Sequence, residues 1–457
     1  MTTRSHHRPR WNPALLLFLL LLPHNSDAFC GFYVAKADAS LYNSASQVVM
    51  VRHDDKTVIS MMNDYRGPLS DFALVVPVPA VLKKGQVHVG ERKLFERIDA
   101  FSAPRLVEYY DSNPCEVNRY AEDLAAAQPR TQKAAGPAAA PQSLGVTVEA
   151  QYTVGEYDIV ILSAKESHGL ETWLQQNGYN IPDNAHQALQ PYINQNMKFF
   201  VAKVNLKKQA QTGLTYLRPL QFAFRTDRFM LPIRLGMINA DGPQDLLLYV
   251  LTKTGRVETT NYRTTKLPSG MDLPVFVKED FADFYKAMFN EQVKRERMRA
   301  VFTEYFWNMG WCDPCAADPL SPEELRKLGV FWLDVPDTNS RYGRRAPVTG
   351  GAIPVMVTRL HIRYAQKTFP EDLFFQETND TQNFQARYVL RHPWSGSPSE
   401  CSAAREYFST LRERQESEQQ TLASLTGWSI DTIRSRSGAT VAPDAPDDDS
   451  WWKDLWK

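Results

Sequence analysis

The pattern of apolar and polar positions in the first two-thirds of the chain predicts β-strands. Residues 46–52 and 57–62 are rich in β-branched and apolar side chains, and His53-Asp-Asp-Lys56 between them predicts a hairpin turn. Residues 71–79 are almost continuously apolar, which indicates a strand buried on both faces, and Pro77 and Pro79 place its end at a sheet edge or in a loop. The same criteria predict strands at 146–152, 157–162, 199–206, 220–224, 229–235 and 246–252.

Helical spacing dominates the last third. Phe281, Phe284 and Met288 belong to an apolar stripe that predicts one long helix from Glu279 to about Asn308. Ser321-Pro-Glu-Glu324 predicts another helix start, with an N-cap, a proline at the first helical position and a capping-box glutamate. The remaining predictions are helices at 169–177, 184–193 and 401–420, a partly helical segment at 94–110 that Pro104 interrupts, and strands at 355–364 and 384–390.

These elements predict an α+β fold, with mainly antiparallel sheet in the first two-thirds and helices and further strands in the last third. Composition divides the chain further. The predicted segments are a signal peptide at 1–28, an N-terminal β-rich part at 29–120, a flexible Ala/Pro-rich loop at 121–145, a β-rich part with two helices at 146–278, a helix-rich part with a Cys-x-x-Cys motif and C-terminal strands at 279–436, and a disordered Trp- and Asp-rich tail at 437–457.

The N-terminus has the three parts of an export signal. Basic residues precede the apolar run Ala14–Leu22, and the small residues Ser26 and Ala28 follow it. The run is about half the roughly 20 residues that a membrane-spanning helix needs. We therefore expect cleavage after Ala28, a periplasmic or extracellular location and no membrane span afterwards, with a retained anchor or a lipid-modified Cys30 as weaker alternatives.

Charge argues against nucleic acid as a partner. Lys plus Arg and Asp plus Glu number 52 each, and no basic stripe interleaved with aromatic residues is present. Hydrophobic residues make up 43% of the chain, which is enough to fill a sizeable core.

The chain has five cysteines, all of them downstream of the predicted cleavage site. An odd number leaves one thiol free or intermolecular if every other partner is internal, and a Cys30–Cys115 disulfide is one candidate pairing. Trp311-Cys-Asp-Pro-Cys315 resembles the redox motif of thioredoxins. A predicted helix before Trp311 and the prolines that follow the motif depart from that family's context. We favour a structural disulfide between Cys312 and Cys315, with a redox-active pair or a metal site left open; zinc would need two further ligands.

No complete catalytic constellation is visible, and no cofactor is predicted. The sequence contains no G-x-S-x-G, Walker, H-E-x-x-H or dinucleotide-binding motif. His361 alternates with Arg359 and Arg363 on a predicted strand, which permits an anion-binding face, although a structural histidine is the preferred interpretation. Glu371 and Asp372 permit an acid pair for hydrolysis, but a helix N-terminus explains them equally well.

Several long segments resemble one bacterial family. They are Phe29–Asp38, Asn63–Gly67 with Phe72–Pro79, Asp99–Arg105, Gly155–Val160 and Arg387–Trp394, and they are similar to the domain-of-unknown-function family 2330 between about Phe29 and Gly396. The resemblance implies an exported bacterial protein and brings no established activity, so it transfers no catalytic residue. In that setting Cys30, Cys115 and the Cys312/Cys315 pair look like framework cysteines, and Cys401 like the unpaired thiol.

The leading hypothesis is a non-enzymatic envelope protein, stabilised by disulfides, that binds an unknown protein or small-molecule ligand or serves a structural role. The alternative is an extracytoplasmic thiol-disulfide oxidoreductase with Cys312 as nucleophile and Cys315 as resolving thiol. A hydrolase built from dispersed residues comes third. The sequence leaves the ligand, the disulfide connectivity and the oligomeric state open.

Overall fold

The computed structural model describes residues 32–34, 42–66, 73–116, 146–177, 185–214, 216–239, 242–311, 317–334 and 353–438. Within these ranges the protein has the predicted α+β fold. The α-helices are α1 Arg92–Ser102, α2 Ser167–Gln176, α3 Ala185–Asn194, α4 Leu206–Thr212, α5 Phe281–Arg295, α6 Pro322–Lys327, α7 Ser402–Thr426 and α8 Ile430–Ser437.

The strands bear out most of the positions that the hydrophobic pattern predicts. They are β1 Phe32–Val34, β2 Tyr42–His53, β3 Lys56–Arg66, β4 Ala73–Val78, β5 Val87–Val89, β6 Arg105–Tyr110, β7 Thr147–Val154, β8 Tyr157–Ser163, β9 Lys198–Val204, β10 Leu220–Arg225, β11 Met230–Leu231, β12 Gln244–Thr252, β13 Val257–Thr259, β14 Arg263–Lys266, β15 Met271–Leu273, β16 Ala300–Asn308, β17 Met356–Tyr364, β18 Leu373–Glu377, β19 Phe384–Gln385 and β20 Arg387–His392.

Two large sheets form the body of the fold. One has five strands in the order β1-β4-β9-β8-β7, and the other has nine, in the order β14-β16-β17-β12-β2-β3-β10-β5 with β19 also paired to β16. Apolar side chains from the facing surfaces of these sheets pack into one core, in which Met50, Phe200 and Leu248 are completely buried. Two smaller sheets have the orders β11-β18-β13 and β15-β20-β6.

Helices cover the outer faces of both large sheets. α2 and α3 pack on the five-stranded sheet, while α1 and α6 pack on the nine-stranded sheet. α5, α7 and α8 form a further core with β14–β16 and β20. The nine-stranded sheet draws strands from all three long segments that the composition separates, so these segments share one sheet.

Two local predictions are confirmed in detail. The turn between β2 and β3 places Asp54 at a φ of 53°, a left-handed conformation that aspartate tolerates well. At the start of α6, the Ser321 hydroxyl accepts from the amide of Glu324, and the Glu324 carboxylate accepts from the amide of Ser321.

The predicted helix from Glu279 to Asn308 is wrong in its second half. α5 ends at Arg295, Arg297 and Met298 adopt φ values of 53° and 54°, and the chain then enters strand β16. β16 lies between β14 and β17 and is buried along most of its length. A continuous apolar run gains more from a central strand position, where both faces are covered, than from a helix with one exposed side. A strand, and not a helix, therefore precedes Trp311.

The boundaries of the other elements differ less from those predicted. The partly helical segment at 94–110 separates into α1 and β6, the strand at 229–235 shortens to the two residues of β11, and the final helix extends to Thr426. The predicted signal peptide, the Ala/Pro-rich loop at 121–145 and residues 439–457 of the tail lie outside the described residues.

Candidate functional site

A cleft of 530 Å³ opens between the two large sheets. One wall comes from β3 and β10 of the nine-stranded sheet, and the opposite wall comes from β4 and the residues that follow it. The segment 225–232, which leaves β10, closes one end. The lining consists of Ile59, Met61, Val76, Pro77, Pro79, Gln195, Met197, Phe222, Phe224, Arg225, Thr226, Asp227, Arg228, Met230, Leu231 and Pro232.

Strand register explains why the first wall is apolar. Ile59 of β3 is paired with Phe222 of β10. Because side chains two residues apart on a strand share a face, Met61 and Phe224 extend the same surface. Each of these side chains separately resembles an ordinary core residue. Val76 and Pro77 of β4, with Pro79 just after it, line the cleft opposite this surface.

The walls are adaptable as well as apolar. Met61, Met197 and Met230 line the cleft, each no more than 8% exposed. Unbranched methionine side chains adjust to irregular ligands more easily than branched ones. The cleft volume also lies within the range of about 300–1,000 Å³ typical of small-molecule sites.

Polar and charged residues surround the mouth, where Arg225, Asp227 and Arg228 are exposed. Nη1 of Arg225 donates to both carboxylate oxygens of Asp55, at 3.0 and 2.9 Å. This hydrogen bond lowers the pKa of Asp55 below its ordinary value. Arg225 is therefore already paired with an anion.

Arg228 has a different environment, although it lies only three residues further along. Its Nη1 donates to Oε1 of Gln195, a neutral amide. Within the described part of the chain, no carboxylate lies within ion-pair distance of Arg228, and no cation lies within that distance of Asp227.

A buried arginine fixes the segment that carries these charges. Nη1 of Arg52 donates to the carbonyl of Thr226 and to the hydroxyl of Thr57, both at 2.8 Å. The guanidinium lies over the ring of Phe229, 5.4 Å from its centroid. Burial lowers the pKa of Arg52, and nearby acids oppose this effect. Arg52 thus holds the closing segment against the hairpin of β2 and β3.

A second polar cluster lies on the outer face of the nine-stranded sheet, away from the cleft. Glu304 of β16 is completely buried beside Arg359 and His361 of β17. Its Oε2 accepts from Nε of Arg359 at 2.6 Å, and its Oε1 lies 2.9 Å from Nδ1 of His361. The hydroxyl of Tyr285, on α5, donates to the same Oε1. Burial alone would raise the pKa of Glu304, but Arg359 and His361 lower it to about 2.

A β-bulge lies at Glu304. Thr303 pairs with Leu360 and Tyr305 with Arg359, so Glu304 is the extra residue between them. Phe302, two residues before Glu304, pairs with His361, so alternation places Glu304 on the same face as His361. The bulge then brings Tyr305 onto this face as well, opposite Arg359.

Aromatic rings close this cluster to solvent. The ring of Phe289 stacks on His361 at 3.6 Å between centroids, and the guanidinium of Arg363 lies over Phe289 at 5.2 Å. Arg363 in turn binds Asp245 through two hydrogen bonds of 2.7 Å. His361 is thus buried among Glu304, Tyr285 and Phe289, and among the described residues no serine or cysteine contacts it.

The comparisons with known proteins yield one family. Residues 24–376 match the model of uncharacterized proteins conserved in bacteria, DUF2330, which covers well over half of the chain. The chain belongs to DUF2330. No curated protein and no solved structure matches it.

The DUF2330 match includes both walls of the cleft and the Glu304 network but ends at residue 376. The segment Arg387–Trp394, which contributes to the resemblance in sequence, lies beyond it, as do α7 and α8. The match begins at residue 24, inside the predicted signal peptide.

The cysteine pairing differs from the prediction for this DUF2330 chain. Cys115 forms a disulfide with Cys401, whose Cα atoms are 6.0 Å apart. The candidate Cys30–Cys115 pairing and the assignment of Cys401 as the unpaired thiol are therefore wrong. The odd number of cysteines and their spacing in the sequence could not predict this pairing, because the two partners are separated by 286 positions and meet only through the fold. Cys30, Cys312 and Cys315 lie outside the described residues.

The anion-binding interpretation of the Arg359-x-His361-x-Arg363 strand is wrong as well. Asp99 and Glu304 neutralise Arg359, and Asp245 neutralises Arg363. The structural interpretation of His361 is the correct one. A signal was present in the sequence: Glu304 is the single charged residue in the apolar run of β16, where a charge needs a buried partner.

Glu371 and Asp372 form neither an acid pair nor the N-terminus of a helix. Asp372 is completely buried and accepts from the Tyr192 hydroxyl at 2.6 Å and from the Ile233 amide at 2.9 Å. Glu371 is exposed, and no helix begins at this point. Burial raises the pKa of Asp372, while its donors and Arg234 oppose the rise. Asp372 serves to fix the backbone beside the closing segment of the cleft.

Among the described residues, no three His, Cys, Asp or Glu side chains converge in a way that would hold a metal ion. The same residues include no helix with the length and apolar character needed to cross a bilayer.

Proposed function

We propose that this DUF2330 chain is an exported bacterial protein that binds a small amphiphilic molecule in the cleft between its two sheets and does not transform it. The observation that carries the proposal is the 530 Å³ cleft itself, with apolar walls and a charged mouth. Pockets of this type, with few polar groups around an apolar interior, are the usual form of small-molecule sites.

The lining favours binding over catalysis. Among the described residues, the lining contains no serine, cysteine or histidine, and Thr226 is its one hydroxyl side chain. The buried histidine of the Glu304 network lies on the opposite face of the sheet, under Phe289.

Two features support export. The N-terminal sequence has the charge, apolar run and small residues of a signal peptide. The Cys115–Cys401 disulfide belongs to the kind of bond that persists in oxidising compartments and is rare in the cytosol.

Export is tested by fractionating cells that express the full chain. We expect the mature protein outside the cytoplasm, with Phe29 as its N-terminal residue by mass spectrometry. Recovery of the intact chain from the cytoplasm would contradict export without affecting the cleft.

The cleft is tested with Nile red, a neutral apolar dye whose fluorescence rises on binding. Saturable binding is expected for the mature protein, with loss in Met230→Trp and Met197→Trp, because each fills the cleft. Met271→Trp is the matched control, since Met271 lies on β15 and is 38% exposed. Thermal unfolding verifies that each variant is folded. A diazirine-bearing alkyl probe gives an independent map, and labelling away from β3, β10 and the segment 225–232 would exclude the cleft as the site.

A second candidate function gains support from one correction to the predicted fold. The strand β16 ends at Asn308, and Trp311, which precedes the Cys-x-x-Cys motif, is 64% exposed. Redox motifs of the thioredoxin type also follow a strand, so one argument against a thiol-disulfide oxidoreductase is removed. In this reaction Cys312 would attack a disulfide, and Cys315 would resolve the mixed disulfide.

A glutathione titration with thiol labelling separates this candidate from a structural pair. A catalytic pair should titrate near or above about −200 mV, whereas structural disulfides lie below about −300 mV. Cys315→Ser should then accumulate mixed disulfides through Cys312, and Cys312→Ser should not. Equal trapping by both variants would exclude the mechanism.

A further inference from the structure

The two arginines at the mouth of the cleft differ in a way that points to the ligand. Arg225 donates to both oxygens of Asp55, whereas Arg228 contacts only the neutral side chain of Gln195 in the described structure. Gln195 is itself fixed, because its amide nitrogen donates to the carbonyl of Pro191 at 2.9 Å. Arg228 is therefore held beside the mouth, and among the described residues no carboxylate lies within ion-pair distance of it.

We propose that the ligand is a free fatty acid, with its single alkyl chain between the sheets and its carboxylate on Arg228. This inference rests on the proposed function and adds the class of ligand and the residue that recognises its head group. A planar guanidinium matches a carboxylate with two parallel hydrogen bonds, which makes arginine the most suitable residue for this contact.

The shape of the cleft favours one unbranched chain. It is a gap between two sheet faces, and packed sheets lie only about 10 Å apart. Its 530 Å³ falls in the lower half of the usual range of about 300–1,000 Å³, which favours one alkyl chain over two. The methionines Met61, Met197 and Met230 suit an unbranched, flexible chain.

The charge of Asp227 provides a further test of the proposal. This carboxylate is exposed beside Arg228 and has no cation within ion-pair distance in the part of the chain that is described. It would repel an anionic head group and attract a cationic one. Replacing it with asparagine therefore tests whether the carboxylate of a bound fatty acid lies at this end of the mouth.

The experiment is isothermal titration of the full mature protein with dodecanoate and with dodecanol, below their aggregation limits. We expect dodecanoate to bind at least tenfold more tightly than dodecanol, since hydrogen bonds to charged groups contribute more than neutral ones. Arg228→Gln should remove that difference, while Arg263→Gln, at an exposed arginine of β14 outside the cleft, should change the dodecanoate Kd less than threefold. Asp227→Asn should tighten dodecanoate binding.

A chain-length series tests the position of the alkyl group. Each added methylene should tighten binding by about fourfold until the cleft is full, after which the Kd should level off. A Kd that does not depend on chain length would place the alkyl chain outside the cleft.

The outcomes separate this inference from the function on which it rests. Equal binding of dodecanol and dodecanoate, with no effect of Arg228→Gln, would overturn the head-group assignment and leave the cleft as a binding site. Unchanged or weaker dodecanoate binding in Asp227→Asn would show that the carboxylate does not lie beside Arg228 and Asp227, and would also overturn it. If neither dodecanoate nor dodecanol binds while Nile red still does, alkyl chains are excluded as ligands. If Nile red does not bind either, the proposed function itself is wrong.

Discussion

Glu304 shows how much one buried carboxylate holds together. It is the shared partner of Arg359 and His361, and Tyr285 also donates to it. Removing one partner of a buried ion pair leaves the other charge without compensation, which typically costs about 3–5 kcal/mol. We expect Glu304→Gln to lower the free energy of unfolding by this amount in urea denaturation. Glu371→Gln, at an exposed site, is the control, and equal midpoints for the two variants would contradict the role of Glu304.

The same carboxylate predicts a loss of stability in acid. The pKa of Glu304 is lowered from 4.5 to about 2 in the folded protein, so its contribution is present above pH 4.5 and is lost as the pH falls towards 2. A shift of this size corresponds to about 3 kcal/mol. Urea midpoints measured between pH 5 and pH 3 should fall in the parent protein and fall less in Glu304→Gln.

Glu418, on α7, should make the stability of the protein depend on pH in the opposite direction. Burial raises its pKa from 4.5 to about 7, and Arg414 opposes the rise. Nε of Arg414 lies 3.3 Å from Oε1 of Glu418, but neither atom has a well-formed hydrogen bond, so their contact is electrostatic only. Because the folded pKa exceeds the unfolded one, stability should fall as the pH rises from about 4.5 to about 7.

Glu418→Gln should remove that fall and leave the protein about 2–3 kcal/mol more stable than the parent at pH 8. Urea unfolding at pH 5 and pH 8 measures both values. Glu413→Gln, at an exposed position on the same helix, is the control. A parent protein that is equally stable at the two values of pH would show that Glu418 ionises normally.

At the scale of elements, the disulfide joins the chain after β6 to the start of α7. Cys401 is the N-cap residue of α7, and its Sγ accepts from the amide of Ala404 at 3.4 Å. The bond closes a loop of 286 residues, which in the chain-entropy model stabilises the fold by roughly 5 kcal/mol. We expect Cys115→Ser and Cys401→Ser to lose equal amounts of stability. Peptide mapping that joins Cys115 to Cys30 would contradict the assignment.

The errors in element prediction have identifiable physical causes. The hairpin at Asp54 and the capping box at Ser321 were predictable because their residues favour those conformations locally. The end of α5 was not predictable, because Arg297 and Met298 adopt the left-handed conformation although no glycine, proline or asparagine marks the end of the helix there. The apolar run of β16 then looked like a continuation of the helix. Only its place between β14 and β17 makes it a strand.

At the scale of the whole molecule, the cleft could not be predicted from any one segment. Met61, Met197 and Phe222 each resemble buried core positions, and Met197 lies outside the sheet that carries the other two. What distinguishes them is the gap that remains when the two sheets pack. The paired state of Arg225 likewise depends on Asp55, 170 positions earlier in the chain.

The nine-stranded sheet also sets the order in which an exported chain can fold. Its central strand β2 pairs with β12, with Ser46 opposite Leu246, so the partner emerges 200 positions later (246 − 46). Pairing between such distant segments makes folding slow. If the chain crosses the membrane from its N-terminus, β2 and β3 must wait as an unfinished hairpin with both edges open until β10 and β12 emerge, exposed to proteases and to other nascent chains. The supply of chaperones that bind unfolded chains at the exit of the translocation channel would then limit the yield of this protein more than its final stability does.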